Sequence, residues 1–269
     1  MNAAAALVVA FSGPVEDTPA VVPGMTHIHG LGINPSDQRL YVATHYGLFR
    51  ITEDDAPQRV GDSMQDFMGF TVTGADEFLA SGYPHPADRQ QPPHPGLIRT
   101  TDAGQSWQSV SLKGSADFHA LEYRHGRMYG LDSQSGAVMV SDDSRSWQTR
   151  TDVTAADLTV SPANAQEVVA TARGGLLRST GGASTFSTVS GAPQLILVSW
   201  PDSGHLIGAD AGAGFTPAPT AARPGSRGPP SRPQALLAAG GGHMYVATDD
   251  AMYASDDDGA SARILTSVS

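Results

Sequence analysis

The stretch GLIRTTDAGQSW, residues 96–107, decides the fold, because its opening phrase recurs along the chain. It is preceded by GLFRIT at Gly47 and followed by GAVMVS at Gly136, GLLRST at Gly175, a faint GFT at Gly214 and AMYAS at Ala251. The intervals are 49, 40, 39, 39 and 37 residues, so the chain is a repeat of about that length with one insertion between the first two copies.

Each copy is preceded by a short β-rich run: RLYVATH, EFLASG, RMYGLDS, EVVATA, HLIGAD and HMYVATD. Before each of these lies another apolar stretch: HIHGLGI, DFMGFTV, DFHALEY, ADLTV, QLILVSW and QALLAAG. Three to four short strands per unit, separated by Gly, Asp and Ser turns, describe a propeller blade and not a helical solenoid. The fold expected is therefore all-β, a six-bladed β-propeller over residues 26–269, preceded by a leader or linker over residues 1–25.

After the third strand of several units comes a turn phrase: TTDAGQSW at 100–107, VSDDSRSW at 140–147, STGGASTF at 179–186 and SDDDGASA at 255–262. It resembles the Asp-box of sialidases, sortilin-type receptors and related bacterial propellers, with the pattern Ser/Thr-x-Asp-x-Gly-x-x-aromatic. Thr100, Asp102, Gly104 and Trp107 match it throughout. Asp142 and Trp147 keep the aspartate and aromatic, with Ser144 at the glycine place. Ser255, Asp257 and Gly259 keep the front and end on Ala262, and Ser179 and Phe186 lack both aspartate and glycine. An aspartate can bond the N–H groups of its own turn and the aromatic can cover a strand seam, so these boxes are assigned no chemistry.

The fifth unit breaks the pattern. AGAGFTPAPTAARPGSRGPPSRP, 211–233, is dense in proline, which cannot donate to a sheet ladder, so blade five is expected to be irregular. It reads either as a compensated frameshift in a GC-rich gene or as a natural Pro-rich loop.

The resemblance implies that first strands line a central axis and that second-to-third strand loops rise at the mouth where those strands begin. Aligning three first strands by alternating faces puts His27, Asp66 and Asp117 in one layer and His29, Met68 and His119 in the next. Leu31, Ile33, Phe70, Val72, Leu121 and Tyr123 make lower, apolar layers. Loops at the mouth would add His45, Tyr46, Asp132 and Arg173, and the insertion YPHPADRQQPPHP adds His85 and His94 if it folds inward. Imidazoles with a thioether suit copper, so His27, His29, Met68 and His119 are the candidate metal ligands, with zinc on His27, His29, His119 and a carboxylate as the alternative. Asp66 and Asp117 would orient the imidazoles. The plainer alternative is a buried His–Asp network with Met68 as filler.

Bacterial proteins with this HIHGLGI…DFHAL pattern are often catalogued as glycosyl hydrolases or exo-α-sialidases. The sialidase resemblance implies three arginines gripping a carboxylate, a tyrosine nucleophile and acidic partners. Arg50, Arg99 and Arg178 instead share one third-strand position, which makes them features of the repeat. A glycosidase remains an alternative, with Asp66, Asp117 and Tyr83 as candidate catalytic residues. A third reading is a protein-binding propeller that uses its mouth for docking.

Composition narrows the partners. The net charge is −11 with scattered basic residues, which gives no footprint for nucleic acid. There is no cysteine, hence no disulfide, thiolate site or cysteine nucleophile. MNAAAALVVAFSG resembles a signal or lipoprotein leader without its positive start, so an extracytoplasmic protein is expected, secreted, periplasmic or surface-tethered by a lipid anchor. No run reaches the roughly 18 apolar residues of a membrane span.

Overall fold

The computed structural model describes residues 7–8, 24–85, 87–202, 205–211 and 231–268. They are all-β, and among them no helix is long and apolar enough to cross a membrane. Most of the expected leader, and residues 212–230 of the Pro-rich segment, lie outside the described residues.

Five four-stranded antiparallel blades are present among the described residues. Blade one is Ile28–Ile33, Leu40–Thr44, Gly47–Ile51 and Pro57–Val60. Blade two is Asp66–Gly74, Glu77–Tyr83, Leu97–Thr100 and Gln108–Ser111. Blade three is Phe118–Arg124, Arg127–Asp132, Ala137–Ser141 and Gln148–Asp152, and blade four is Ala155–Val160, Val168–Ala172, Gly175–Ser179 and Ser187–Thr188. The last blade is Pro233–Gly240, His243–Thr248, Ala251–Ser255 and Arg263–Ser267.

The expected six blades, the fifth of them irregular, are thus corrected to five blades among the described residues. Between blade four and the last blade stands a three-stranded sheet, in which Leu197–Ser199 pairs with Ile207–Ala209 and the latter pairs in parallel with Leu7–Val8. The sequence that would supply the outer strands of the fifth unit is the Pro-rich 211–233, and proline cannot donate to a ladder. The inner strands still contact one another in sequence around the axis, with the last blade returning to blade one.

The recurring glycine of the repeat has a steric cause. Gly47, Gly96, Gly136 and Gly175 open their third strands at φ between 70° and 114°, a region costly for residues with a Cβ. At Gly47 and Gly96 a Cβ would also come within 2.5 and 2.3 Å of the carbonyl oxygens of Ser63 and Ser111.

Blades are joined by apolar seams and by side-chain bonds to backbone. Phe67 and Phe78 are fully buried between blades one and two, and Phe118 between two and three. Each such burial contributes about 1.5–3 kcal/mol. The three-stranded sheet shares one core with both neighbours, through Val169, Leu195, Trp200, Ile207 and Met244. The N–H of Phe118 donates to Ser81 (3.0 Å), that of Val198 to Asp157 (2.9 Å) and that of Ala238 to Ser199 (2.9 Å). The ring closes where the N–H of Ile28 donates to Oε1 of Gln234 at 2.8 Å.

The third-to-fourth strand turns are built on hydroxyl–carboxylate pairs. Thr100 donates to Asp102 (2.6 Å) and accepts from the N–H of Gly104 (2.9 Å), and Asp102 accepts from the N–H of Ser106 (2.9 Å). Ser255 and Asp257 repeat the arrangement. In blade three the turn is one residue out of the expected alignment. Asp143, not Asp142, accepts from Ser141 and from the N–H of Ser146, while Asp142 pairs with Arg127 at 2.5 Å. Trp107 and Trp147 pack on Phe67 and Phe118, with centroids 4.9 and 4.8 Å apart.

Candidate functional site

At five places on the inner strands the ladder slips by one residue: Ile28/Gly30, Phe67/Gly69, Phe118/Ala120, Ala155/Asp157 and Pro233/Ala235. The residues at the slips are His29, Met68, His119, Ala156 and Gln234, and all five line one central channel of about 540 Å³. A bulge re-aims a side chain locally, and its repetition at one level makes a ring around the axis. Small residues follow at Gly30 and Gly69, where a Cβ would meet Phe70 at 2.6 Å and the carbonyl oxygen of Phe118 at 2.5 Å.

Beside the ring, the second-to-third strand turn of blade one carries His45 against His29 and Asp66. Its Nδ1 lies 2.6 Å from Oδ2 of Asp66, and its ring meets the rings of His27 and His29 edge-on, with centroids 4.8 and 4.7 Å away. One donor atom each from His29, His45 and Asp66 lies within 4.8 Å of the others. Burial, and then the neighbouring His45, His119 and His27, pull the pKa of His29 down to about 4. Its imidazole is therefore neutral at physiological pH, the form a metal requires. Burial pushes the Asp66 carboxyl up, with His45 opposing.

A second cluster faces it from blades two and three. Asp117 has no exposed side-chain surface. Its Oδ2 accepts from Tyr83 (2.9 Å) and Ser133 (2.9 Å), and lies 3.1 Å from Nε2 of His119 and 3.8 Å from Nδ1 of His94. Burial would raise the Asp117 carboxyl, but the bonds from His119, Ser133 and Tyr83 outweigh it and hold it low. Burial and the bond to Asp117 push Tyr83 up to about 12.

Buried polar atoms without a hydrogen-bond partner concentrate here. Among the described residues they include His29 Nε2, Asp66 Oδ1, His94 Nδ1 and Asp117 Oδ1, all in this mouth. An unpaired buried polar group is costly, and four of them share this opening.

The expected metal quartet is arranged differently from its strand-face reading. His29, Met68 and His119 do share the channel wall, and Nε2 of His119 lies 3.1 Å from Oδ2 of Asp117. His27 is exposed and precedes the strand at φ 50°, so it meets its neighbours through His45 and not through a shared strand face. Of the other mouth residues, Tyr46 is 46% exposed beside His45, and His94 folds inward against Tyr83 with ring centroids 5.4 Å apart. His85 is bound within its own loop, where its Nδ1 accepts from the N–H of Ala87. Asp132 is buried and accepts from the N–H groups of Asp117 and Ser135 and from the hydroxyl of Ser135. Arg173 is exposed in the turn of blade four. Arg50, Arg99 and Arg178 sit on outer strands, paired with Asp37, Glu77 and Glu167.

Sequence reasoning did not anticipate Ser133 at the mouth or Glu122, Arg124 and Asp157 in the channel wall. Burial pushes Glu122 up to about 7 against Arg124, and Asp157 up to about 6 against the N–H groups of Val198 and Leu158.

No described protein family matches the sequence, and no curated protein matches it. Among solved structures the chain is similar to YCF48 bound to D1 peptide, at 16% identity and a TM-score of 0.56, over 97% of this chain and 87% of that one. It is similar to the structure of a nidogen/laminin complex at 11% identity and a TM-score of 0.61, over 86% and 92%. The GH74 xyloglucanase from Xanthomonas campestris matches at 14% identity and a TM-score of 0.54, over 92% of this chain but 46% of the enzyme. These neighbours are β-propeller proteins, and at such identities what the chain shares with them is the propeller fold.

Proposed function

We propose that the protein is a metal-binding β-propeller whose mouth holds a divalent transition-metal ion through His29, His45 and Asp66, with His27 beside them. The observation that carries this reading is the convergence of two imidazoles and a carboxylate whose buried atoms include the unpaired His29 Nε2 and Asp66 Oδ1. With nitrogen and oxygen donors in the trio, Cu(II) is favoured over Cu(I), and over Zn(II) by the general order of divalent affinities. In this reading the three-stranded sheet is a degenerate sixth blade, the hydroxyl–aspartate turns are Asp-boxes, and the site works outside the cytoplasm. The test is metal content after purification, followed by Cu(II) and Zn(II) titration beside His29→Ala and His45→Ala. Stoichiometric binding lost in both variants supports the reading, and no binding by the wild type ends it.

A glycosidase is the second reading. Its support is that the environments of Asp66 and Asp117 push one carboxyl up and the other down, as an acid–base pair requires. Hydrolysis of aryl glycosides that persists in chelator, and is lost in Asp66→Asn and Asp117→Asn, would favour it.

A further inference from the structure

We infer that the three-stranded sheet is a strand-acceptor site: the place of its third strand takes an extended, uncharged apolar segment in parallel register, and the occupant is the chain's own N-terminal run at Leu7–Val8. In the five complete blades the second strand pairs with a third that follows it in the chain and runs antiparallel. Here Ile207–Ala209 pairs on one side with Leu197–Ser199 and on the other, in parallel, with Leu7–Val8. The register sets Leu7 beside Ile207 and Val8 beside Gly208.

The receiving strand has the chemistry of an interior strand. Leu206, Ile207 and Ala209 are 3%, 2% and 0% exposed and share one core with Val169, Leu195 and Met244. Gly208 between them is just as enclosed, since a Cβ there would stand 2.3 Å from Cδ1 of Leu195. A strand covered on both faces holds its N–H and C=O groups away from water, so both of its edges need a ladder partner. The unit's own candidate, GFT at Gly214, runs at once into Pro217 and Pro219, which cannot donate to one.

The N-terminal run suits the place. AAAALVVAF, residues 3–11, carries no charged or polar residue. Parallel pairing beside a strand buried on both faces calls for a near-continuous apolar run and not an alternating one. The stretch that resembles a leader is thus also a strand of the fold. Leu197, Val198 and Ser199 of the same sheet line the central channel, so the added strand backs the channel wall.

The chain has no cysteine, so an engineered pair gives an unmixed signal in the full-length protein. Parallel neighbours stand about 4.8 Å apart, within the Cα range of a disulfide. Leu7→Cys with Ile207→Cys should cross-link inside one chain under mild oxidation, read by mass spectrometry of the joined peptides. Ala5→Cys with Ile207→Cys, two residues out of register, should not. Because Ile207 belongs to the core, hydrogen exchange of Val8→Asp is measured as well. Its amides at 207–209 should exchange about tenfold faster than in the wild type, the effect of one lost backbone bond, with an unchanged circular dichroism spectrum. Disulfide-linked dimers in place of the internal link overturn the proposal and give the edge to a second copy. Equal cross-linking of the two pairs, no cross-link in a folded double variant, or wild-type exchange in Val8→Asp overturns it too.

Discussion

The imidazole of His45 reaches from a turn of blade one to the inner strand of blade two and sets its Nδ1 2.6 Å from Oδ2 of Asp66. This contact ties two blades together at the mouth and holds the carboxylate beside His29. It also gives Asp66 two opposed roles, since a buried carboxylate costs stability and a metal ligand needs its charge.

Asp66→Asn separates those roles. The folded pKa of Asp66 is raised by burial, so its contribution to stability is full at low pH and is lost as pH rises through the folded value. At pH 7 the ionised group is a net cost, and the amide removes it while still able to accept from His45. The metal-free variant should therefore melt at or above the wild-type temperature, while its Cu(II) or Zn(II) affinity falls by more than the roughly 10–100-fold that loss of an outer-shell partner costs. A clearly lower melting temperature without metal would assign Asp66 to a structural pair with His45.

Glu122 should control the pH dependence of stability. Burial raises its pKa from 4.5 to about 7, with Arg124 opposing. Stability from this group is complete below about 4.5 and is lost as pH rises through about 7. Its side chain keeps 23% exposure to the channel, so solvent screens part of the effect. Thermal melts of wild type and Glu122→Gln between pH 4.5 and 8 should converge at the acid end, with the variant gaining relative stability toward pH 8. Parallel curves would show that channel water solvates the carboxylate fully.

The repeat was legible because a glycine that must take positive φ, followed by an apolar strand, leaves a periodic trace in the sequence. That the fifth unit departs from the four-strand pattern was legible for the converse reason, through the prolines of 211–233. The mouth was legible only as a neighbourhood. A period-2 reading holds within an unbroken ladder, and the slips at His29, Met68 and His119 shift every face beyond them by one residue. Beyond the slip at His119, Glu122 lines the channel wall together with Leu121 and Tyr123, and Asp157 lines it at the slip of blade four. The signal that could have revealed the slips is the small residue after each, Gly30, Gly69 and Ala120; at the two glycines a neighbouring strand approaches too closely for a Cβ. His94's inward turn depends on the tertiary path of a Pro-rich loop, which no local pattern encodes.

Gly82→Ala should be among the most damaging single-methyl changes near the mouth. Gly82 sits at φ 148° between Ser81 and Tyr83, and a Cβ there would stand 2.1 Å from the carbonyl oxygen of Asp66. Backbone cannot yield as a side-chain tip can, and strained positions of this kind cost about 1–3 kcal/mol. The urea midpoint should fall with an unchanged slope, since the surface exposed on unfolding stays the same. Because Asp66 and Tyr83 flank the clash, metal affinity should weaken as well. A wild-type midpoint would mean that blade two can shift outward at little cost.

Gln234→Ala tests how the ring is closed. Gln234 accepts the N–H of Ile28 at 2.8 Å and donates to Asp249 at 2.7 Å, and Ile28 is 1% exposed. Truncation leaves a buried N–H without an acceptor, at a cost of about 1–3 kcal/mol. Ile28 also stands between His27 and His29, so freeing its backbone should weaken metal binding, and Gln234→Glu, which can still accept from Ile28, should bind more tightly than Gln234→Ala. If Gln234→Ala unfolds at the wild-type urea concentration, closure belongs to the apolar seam of Leu31, Ala235, Met252 and Leu265, and the glutamine only sets the register of the histidines.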